Sequence, residues 1–304
     1  MNRKTAIRTI SLPAPAKVNL CLAVIGARPD GFHELVTLMA KIDLCDLVTL
    51  ARTETKGEIT CVCEGAEGAD ALSGEKNLAW QAVDLWRQAT GDETGVQITI
   101  KKRIPAMAGL GGGSSDAVAT LKALNLWNLA PLSFEELKEI SSRLGSDCSG
   151  FLVEGACVAT GRGEKVRPLT NQANDRLNAK RLFLFKPPLG FSTASVYAGL
   201  SERQDAYSSK ESVAQRIRAW ENDEIGIHEC MANDLERVII DKYCFVRPLF
   251  DILSDRFAMH PMLSGSGSCC FAFVPDGCPV SQVIDCVKEA WGDEAFVAEQ
   301  RIRS

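Results

Sequence analysis

The densest chemistry in this 304-residue chain lies in one run, Pro105-Ala106-Met107-Ala108-Gly109-Leu110-Gly111-Gly112-Gly113-Ser114-Ser115-Asp116. Four glycines within five residues let the backbone wrap closely round a ligand. Two hydroxyls then stand where an apolar helix opens, from about Ser115 to Trp127. A helix N-terminus offers unsatisfied N–H groups and a partial positive charge, so an anion suits it, and a phosphate most naturally. A flexible loop before a capped helix explains Ser and Gly at a helix start, but not this glycine density with paired serines. The loop is not a Walker A element, because the chain has no G-K-[ST]. It is not a dinucleotide fingerprint either, because Gly109 and Gly111 are followed by Ser114. The H-R-D and D-F-G signatures of protein kinases are also missing. A different class of nucleotide site is required.

A polar pair interrupts the first apolar stretch. Ala16, Val18, Leu20, Leu22 and Val24 fall on one face of a strand, and Lys17, Asn19 and Cys21 on the other. A lysine inside such a strand is costly unless it meets a partner or a wet cleft. The alternative is an ammonium reaching the surface from an edge strand. Asp147, just after Gly145, reads by itself as a turn residue or a cap. Phe32 and His33, in the turn begun by Pro29-Asp30-Gly31, read by themselves as packing.

Together with Pro15-Ala16-Lys17-Val18-Asn19-Leu20 and Leu263-Ser264-Gly265-Ser266-Gly267-Ser268, the central loop resembles the three motifs of the GHMP kinases (galactokinase, homoserine kinase, mevalonate kinase and relatives). Arg28-Pro29-Asp30-Gly31-Phe32-His33-Glu34, Gly145-Ser146-Asp147 and Ala232-Asn233-Asp234-Leu235-Glu236 narrow the resemblance to the branch that acts on a cytidine-linked alcohol. It runs from about residue 13 to residue 274.

The resemblance implies ATP-dependent phosphorylation of a small cytidine-linked substrate in isoprenoid precursor synthesis, with ATP as co-substrate and Mg²⁺ alongside. It implies an N-terminal half like ribosomal protein S5 domain 2 and a ferredoxin-like C-terminal half, with the active site between them. It makes Lys17 a catalytic lysine close to Asp147 and the substrate hydroxyl, and Asp147 the general base. Pro105 to Ser115 would hold the ATP phosphates, and Asn77 and Lys102 match positions that contact adenine. Asn19 and Gly265 would face the substrate, with the Leu263–Ser268 loop against the phosphate loop or the substrate's phosphates. Phe32 and His33 are assigned to the cytosine, and Thr193 and Tyr197 to the other side of its pocket. The chain departs from the branch at Phe32, where many relatives carry Tyr, and at Cys148-Ser149-Gly150, which replaces an aliphatic-proline stretch. The alternatives are another GHMP small-molecule kinase, of homoserine or mevalonate type, and a non-catalytic nucleotide-binding paralogue. The second is weakened by the presence of both Lys17 and Asp147.

The elements that must hold these residues follow from periodicity. Strands are expected over Ala16–Val24, in two segments between Leu35 and Leu50, and at Ile59–Cys63 and Val96–Ile100. Helices are expected over Asn77–Thr90 and from the Ser133/Glu136 capping box to Gly145. Beyond Gly155 come strands near Ala156–Thr160, Arg181–Phe185, Cys269–Val274 and Ala295–Ala298. Helices are expected there near Ser212–Trp220, Met231–Ile240, Pro248–Phe257 and Val280–Trp291. This mixture predicts an α+β protein of two domains, 1–168 and 169–304, with the polar segment Leu169–Lys180 at the boundary.

Composition excludes other classes. Lys and Arg total 34 against 39 Asp and Glu, a net charge of −5, which argues against coating nucleic acid or anionic lipid. No stretch approaches the ~20 apolar residues of a membrane span. Arg3, Lys4 and Arg8 resemble the start of a signal peptide. The apolar segment that follows, however, holds Lys17 and Asn19 and lacks a cleavage pattern, so a cytoplasmic protein is expected. The 12 cysteines contain no C-x-x-C, and with histidines only at 33, 228 and 260 they assemble no zinc pattern. They read as reduced, mostly buried thiols. No metal ligand is assigned, and the oligomeric state is left open.

Overall fold

The computed structural model describes residues 9–65, 69–128, 130–203 and 207–303. The chain forms two compact units, each assembled from separated stretches. One takes the chain up to Ala16, Leu44–Pro105 and Gly111–Leu152; the other takes Lys17–Asp43, Ala106–Leu110 and everything from Val153. The polar segment 169–180 lies within the second unit.

In the first unit, β1 (Thr9–Ala27) begins and β2 (His33–Thr53) ends. They are joined there by β3 (Ile59–Glu64), α1 (Leu78–Thr90), β4 (Gly95–Lys101), α2 (Gly112–Trp127), α3 (Phe134–Leu144) and α4 (Cys148–Leu152). Val96, Ile98 and Ile100 alternate along β4 and are buried. That strand pairs parallel with β3 and antiparallel with Leu47–Thr53 of β2. The parallel pairing requires a crossover, which α1 supplies. Asn77 caps α1 by accepting from Ala79 N, and left-handed Gly91 ends it. The capping box of Ser133 and Glu136 opens α3 as expected. One core gathers Val48, Leu50, Ile98, Trp86, Val118 and Leu121.

The second unit adds β5 (Cys157–Gly161), β6 (Lys165–Pro168), α5 (Asn171–Leu177), β7 (Arg181–Lys186) and α6 (Thr193–Ser201). It continues through α7 (Lys210–Glu221), α8 (Ile227–Cys230), β8 (Ala232–Asn233), α9 (Glu236–Lys242) and α10 (Val246–Phe257). It closes with β9 (Met262–Leu263), β10 (Cys270–Phe273), α11 (Val280–Trp291) and β11 (Phe296–Arg303). Central β7 pairs antiparallel with β10 and β11, which pair on to β9 and to β2 at Lys41–Ile42. Leu35–Met39 of β2 also pairs with β5. The core holds Phe183, Phe185, Phe250, Leu253, Val283 and Trp291.

The α+β architecture in two parts is the one expected, and four local expectations are corrected. Leu35–Leu50 is a single strand, and its polar interruption at Asp43 is where β2 passes from one unit to the other. The helix expected over Met231–Ile240 breaks, because Ala232 and Asn233 pair with Cys21 and Leu22 of β1. The short helices α4, α5 and α6 were missed, since each is shorter than the ~11-residue window over which helical periodicity is read. The last strand runs to Arg303, because its outer end pairs with β2 rather than fraying. No helix among the described residues is long and apolar enough to cross a membrane.

Candidate active site

In the second unit, Lys17 and Asn19 occupy one face of β1 and are almost wholly buried. Lys17 Nζ donates to Asn19 Oδ1 at 2.5 Å, Asn19 Nδ2 donates to Thr37 Oγ1 at 2.8 Å, and that hydroxyl donates to the Cys21 carbonyl at 2.7 Å. Each polar atom that burial strips of water thus has a protein partner, which meets the cost of a lysine in this strand. Lys17 N–H also donates to the Leu110 carbonyl at 2.9 Å, tying β1 to the Ala106–Leu110 part of the glycine loop.

The third motif closes on the same place. Ser264 Oγ donates to the Gly109 carbonyl at 3.0 Å and accepts from Asn19 N–H at 3.3 Å. Gly109 has φ +70°, and a Cβ there would stand 2.0 Å from the Ser264 carbonyl oxygen, so no other residue fits. Gly265, at φ +59°, would place a Cβ 3.2 Å from Asn19 Oδ1 and 3.6 Å from Lys17 Nζ. The Leu263–Ser268 loop therefore packs against Ala106–Leu110, as expected. Ala232–Glu236, which gained no role from the sequence, holds this loop in place. Asn233 Nδ2 donates to the Leu263 and Gly265 carbonyls at 2.9 and 2.8 Å, and Glu236 accepts from Leu263 N–H at 2.9 Å. Burial pushes the Glu236 carboxyl up to about 7.

In the first unit, Gly111–Ser115 forms the start of α2. The Ser115 hydroxyl is buried there with no hydrogen-bond partner, an orphan that a phosphate oxygen or an ion would satisfy. Lys102 lies beneath, where a Cβ on Gly112 would sit 3.5 Å from its Nζ. Its ammonium is held by Asp46 at 2.5 Å and Asp116 at 2.7 Å, all three side chains being buried. Asp46 also accepts from the N–H groups of Arg103 and Ile104. Burial pushes the Asp116 carboxyl up to about 7 against the pull of Lys102, and the charge of Asp46 adds to the rise. Two carboxyls sharing one ammonium cannot both ionise cheaply in such a place. The sequence assigned neither acid a role, although Asp116 closes the glycine-loop motif.

Asn77, besides capping α1, donates to the Leu72 carbonyl at 2.8 Å. Asp147 is half-buried in the turn between α3 and α4. That turn packs on the loop serines: a Cβ on Gly145 would lie 3.5 Å from Ser114 Oγ, and Cys148 Sγ lies 3.8 Å from the Ser114 carbonyl. Cys148-Ser149-Gly150 begins the short helix α4, with Ser149 hydrogen-bonded to Ser141 at 3.3 Å.

Of the residues assigned to a base, His33 and Tyr197 come together, in the second unit. Arg28–Glu34 is one tight turn, with Arg28 N–H bonded to the Phe32 carbonyl and its guanidinium paired with Asp30 and Glu34. Phe32 is half exposed under the Arg162 guanidinium, 4.9 Å from the ring centroid. The His33 and Tyr197 rings lie 4.9 Å apart, and Thr193 Oγ1 meets Ser266 Oγ at 2.8 Å, joining α6 to the third motif. Among the described residues no three His, Cys, Asp or Glu side chains gather in a group able to hold a metal ion. Cys269 and Cys270 are buried packing, the first thiol pushed up to about 12 by burial.

A glycine turn at Gly109 seated against the Leu263–Ser268 loop, beside a buried strand lysine, is the arrangement the GHMP kinase resemblance leads one to expect. The family model for the GHMP kinases N terminal domain matches residues 77–155. A protein of Shouchella clausii named 4-diphosphocytidyl-2-C-methyl-D-erythritol kinase is 38% identical over 275 residues, covering 90% of this chain and 88% of that protein. A crystal structure of 4-(cytidine 5'-diphospho)-2C-methyl-D-erythritol kinase superposes with a TM-score of 0.72 and 30% identity, covering 96% of this chain and 99% of that one. A homoserine kinase from Cytophaga hutchinsonii shares the fold at TM-score 0.73 with 17% identity, covering 100% of this chain and 98% of that one. The chain belongs to the 4-diphosphocytidyl-2-C-methyl-D-erythritol kinase family.

Proposed function

We propose that this enzyme transfers the γ-phosphoryl group of ATP to the 2-hydroxyl of 4-diphosphocytidyl-2-C-methyl-D-erythritol, in non-mevalonate isoprenoid precursor synthesis. The observation that carries the reading is the seat of Gly109 on the Ser264 carbonyl beside Lys17, in a chain of this family. Asp147 accepts the hydroxyl proton as the oxygen attacks the γ-phosphorus, and ADP leaves as the bridging P–O bond breaks. Lys17 stabilises the developing alkoxide charge. Within Pro105–Ser115, the free backbone N–H groups after Pro105 and the hydroxyls of Ser114 and Ser115 hold the phosphates without needing to reorganise. Magnesium bound with ATP would neutralise charge on the β- and γ-phosphates, and the orphaned Ser115 hydroxyl is a hard oxygen donor fitted to that ion.

Asn19 and Gly265 border the transferred group in this reading, and Phe32, His33, Thr193 and Tyr197 bind the cytidine. Asn77 and Lys102 flank the adenine with their polar atoms already held by protein partners. The halves 1–168 and 169–304 remain our proposed division of the family's two domains, the GHMP N-terminal match falling within the first. A cytoplasmic location accords with the buried thiols. ADP release, measured with the cytidine-linked alcohol, homoserine and mevalonate in turn, tests the reading. Turnover is expected with the first alone. Turnover only on an alcohol lacking cytidine would overturn it, and nucleotide binding without any turnover would favour a non-catalytic paralogue.

A further inference from the structure

His33 is held by a residue that no motif contains. Its Nε2 lies 3.1 Å from Ser201 Oγ, at the last residue of α6. The same hydroxyl lies 3.0 Å from the Tyr197 carbonyl, one turn earlier. A carbonyl has no proton to give, so the hydroxyl donates its only proton there. With its proton given to that carbonyl, the serine oxygen acts as an acceptor towards His33, the arrangement that places the ring proton on Nε2. Burial lowers the His33 pKa from the ordinary histidine value, which favours the neutral ring. A neutral ring protonated at Nε2 has a bare, accepting Nδ1. Contacts with Tyr197 at 4.9 Å and Tyr207 at 6.3 Å between centroids limit rotation of the ring.

We propose that Ser201 is a positioning residue that sets the tautomer of His33, so that Nδ1 accepts a hydrogen bond from the 4-amino group of cytosine and disfavours uracil. This rests on the reading above that His33 meets the base. Cytosine presents an N–H donor at C4 where uracil presents a carbonyl acceptor. A bare Nδ1 pairs with the first and opposes the second. The opposite tautomer would reverse that preference, so a single serine hydroxyl decides which base is favoured.

The chain has three histidines, so two-bond ¹H–¹⁵N spectra of the full-length protein can be assigned with one His33→Gln variant. The unliganded wild type should show His33 protonated at Nε2 and bare at Nδ1. Ser201→Ala should let the Nδ1–H form appear. It should also raise KM for the cytidine substrate about 3- to 10-fold, the usual effect of one hydrogen bond. The same change should narrow the preference for CDP over UDP in thermal-shift titrations, while kcat and the KM for ATP stay within about twofold. Ser201→Thr, which keeps the hydroxyl, should restore both tautomer and preference. A wild-type His33 protonated at Nδ1, or a Ser201→Ala variant with unchanged tautomer and CDP preference, would overturn the role of Ser201. A wild type that holds the Nε2–H form yet binds CDP and UDP alike would instead overturn the base-site reading, and the proposal with it.

Discussion

In the proposed mechanism Asp147 and Lys17 carry the reaction at the scale of single side chains, and their settings differ. Lys17 is sealed in β1 and bonded to Asn19, so its geometry is fixed before any ligand arrives. Asp147 sits half-buried at the turn between α3 and α4. Asp147→Asn keeps the size of the group and removes its basicity. It should lower kcat by about 10²–10⁴-fold, the usual range for a lost general base, with KM for ATP little changed. Steady-state ADP release measures both, and unaltered turnover would remove Asp147 from the mechanism. Lys17 was legible in the sequence because it is a charge sharing with Asn19 the second face of an alternating apolar strand. Asp147 was not, because an acid after a helix is usually a cap, and only the family resemblance separated it from one.

At the scale of elements, two buried clusters hold the loops. Asp46, Lys102 and Asp116 join β2, the end of β4 and the start of α2. Lys102→Met keeps the length of the side chain and strands two buried acids. Removing one partner of a buried ion cluster typically costs about 3–5 kcal/mol, so urea unfolding should show a loss of that order. A loss under about 1 kcal/mol would mean the cluster adds little. Glu236, which accepts from Leu263 N–H, gives a dependence on pH. Burial raises its carboxyl from 4.5 to about 7. Between those values the folded protein holds a proton that the unfolded chain has released, so stability falls as pH rises through this window. Glu236→Gln should flatten the fall and gain on the order of 2 kcal/mol at pH 8 relative to pH 5, by denaturant midpoints. Parallel pH profiles would refute it. Neither cluster was read from the sequence, since each pairs residues far apart along the chain.

At the scale of the whole molecule, the two units interleave along the chain. Lys17–Asp43 belongs to the second unit, and its Leu22 and Val24 share a core with Phe183, Phe185 and Leu253. A fragment ending at residue 168 would leave those side chains without that core, which costs about 25 cal/mol per Å² of apolar surface exposed. Expressed alone, the fragment should be protease-sensitive and lack a cooperative thermal transition. A sharp transition would show that the first 168 residues suffice. In the proposed function the net charge of −5 is compatible with two anionic ligands, because their phosphates would meet N–H groups and a helix start rather than excess lysine.

The sequence by itself determined the motifs and most of the elements around them: the glycine loop at α2, the strand bearing Lys17 and Asn19, the capped helices α1 and α3, and an α+β chain in two parts. These signals are local, resting on side-chain period, capping chemistry and the backbone freedom of glycine, all readable within a few residues. Only the tertiary structure decided that Gly109 rests on Ser264, 155 residues away, and that Asn233 and Glu236 hold that turn. It also decided that Lys102 is shared by two acids, and that Ser201 Oγ comes within hydrogen-bonding distance of His33 Nε2. Those contacts depend on chain reversals that bring distant residues to hydrogen-bonding distance, and no periodicity along a sequence records them.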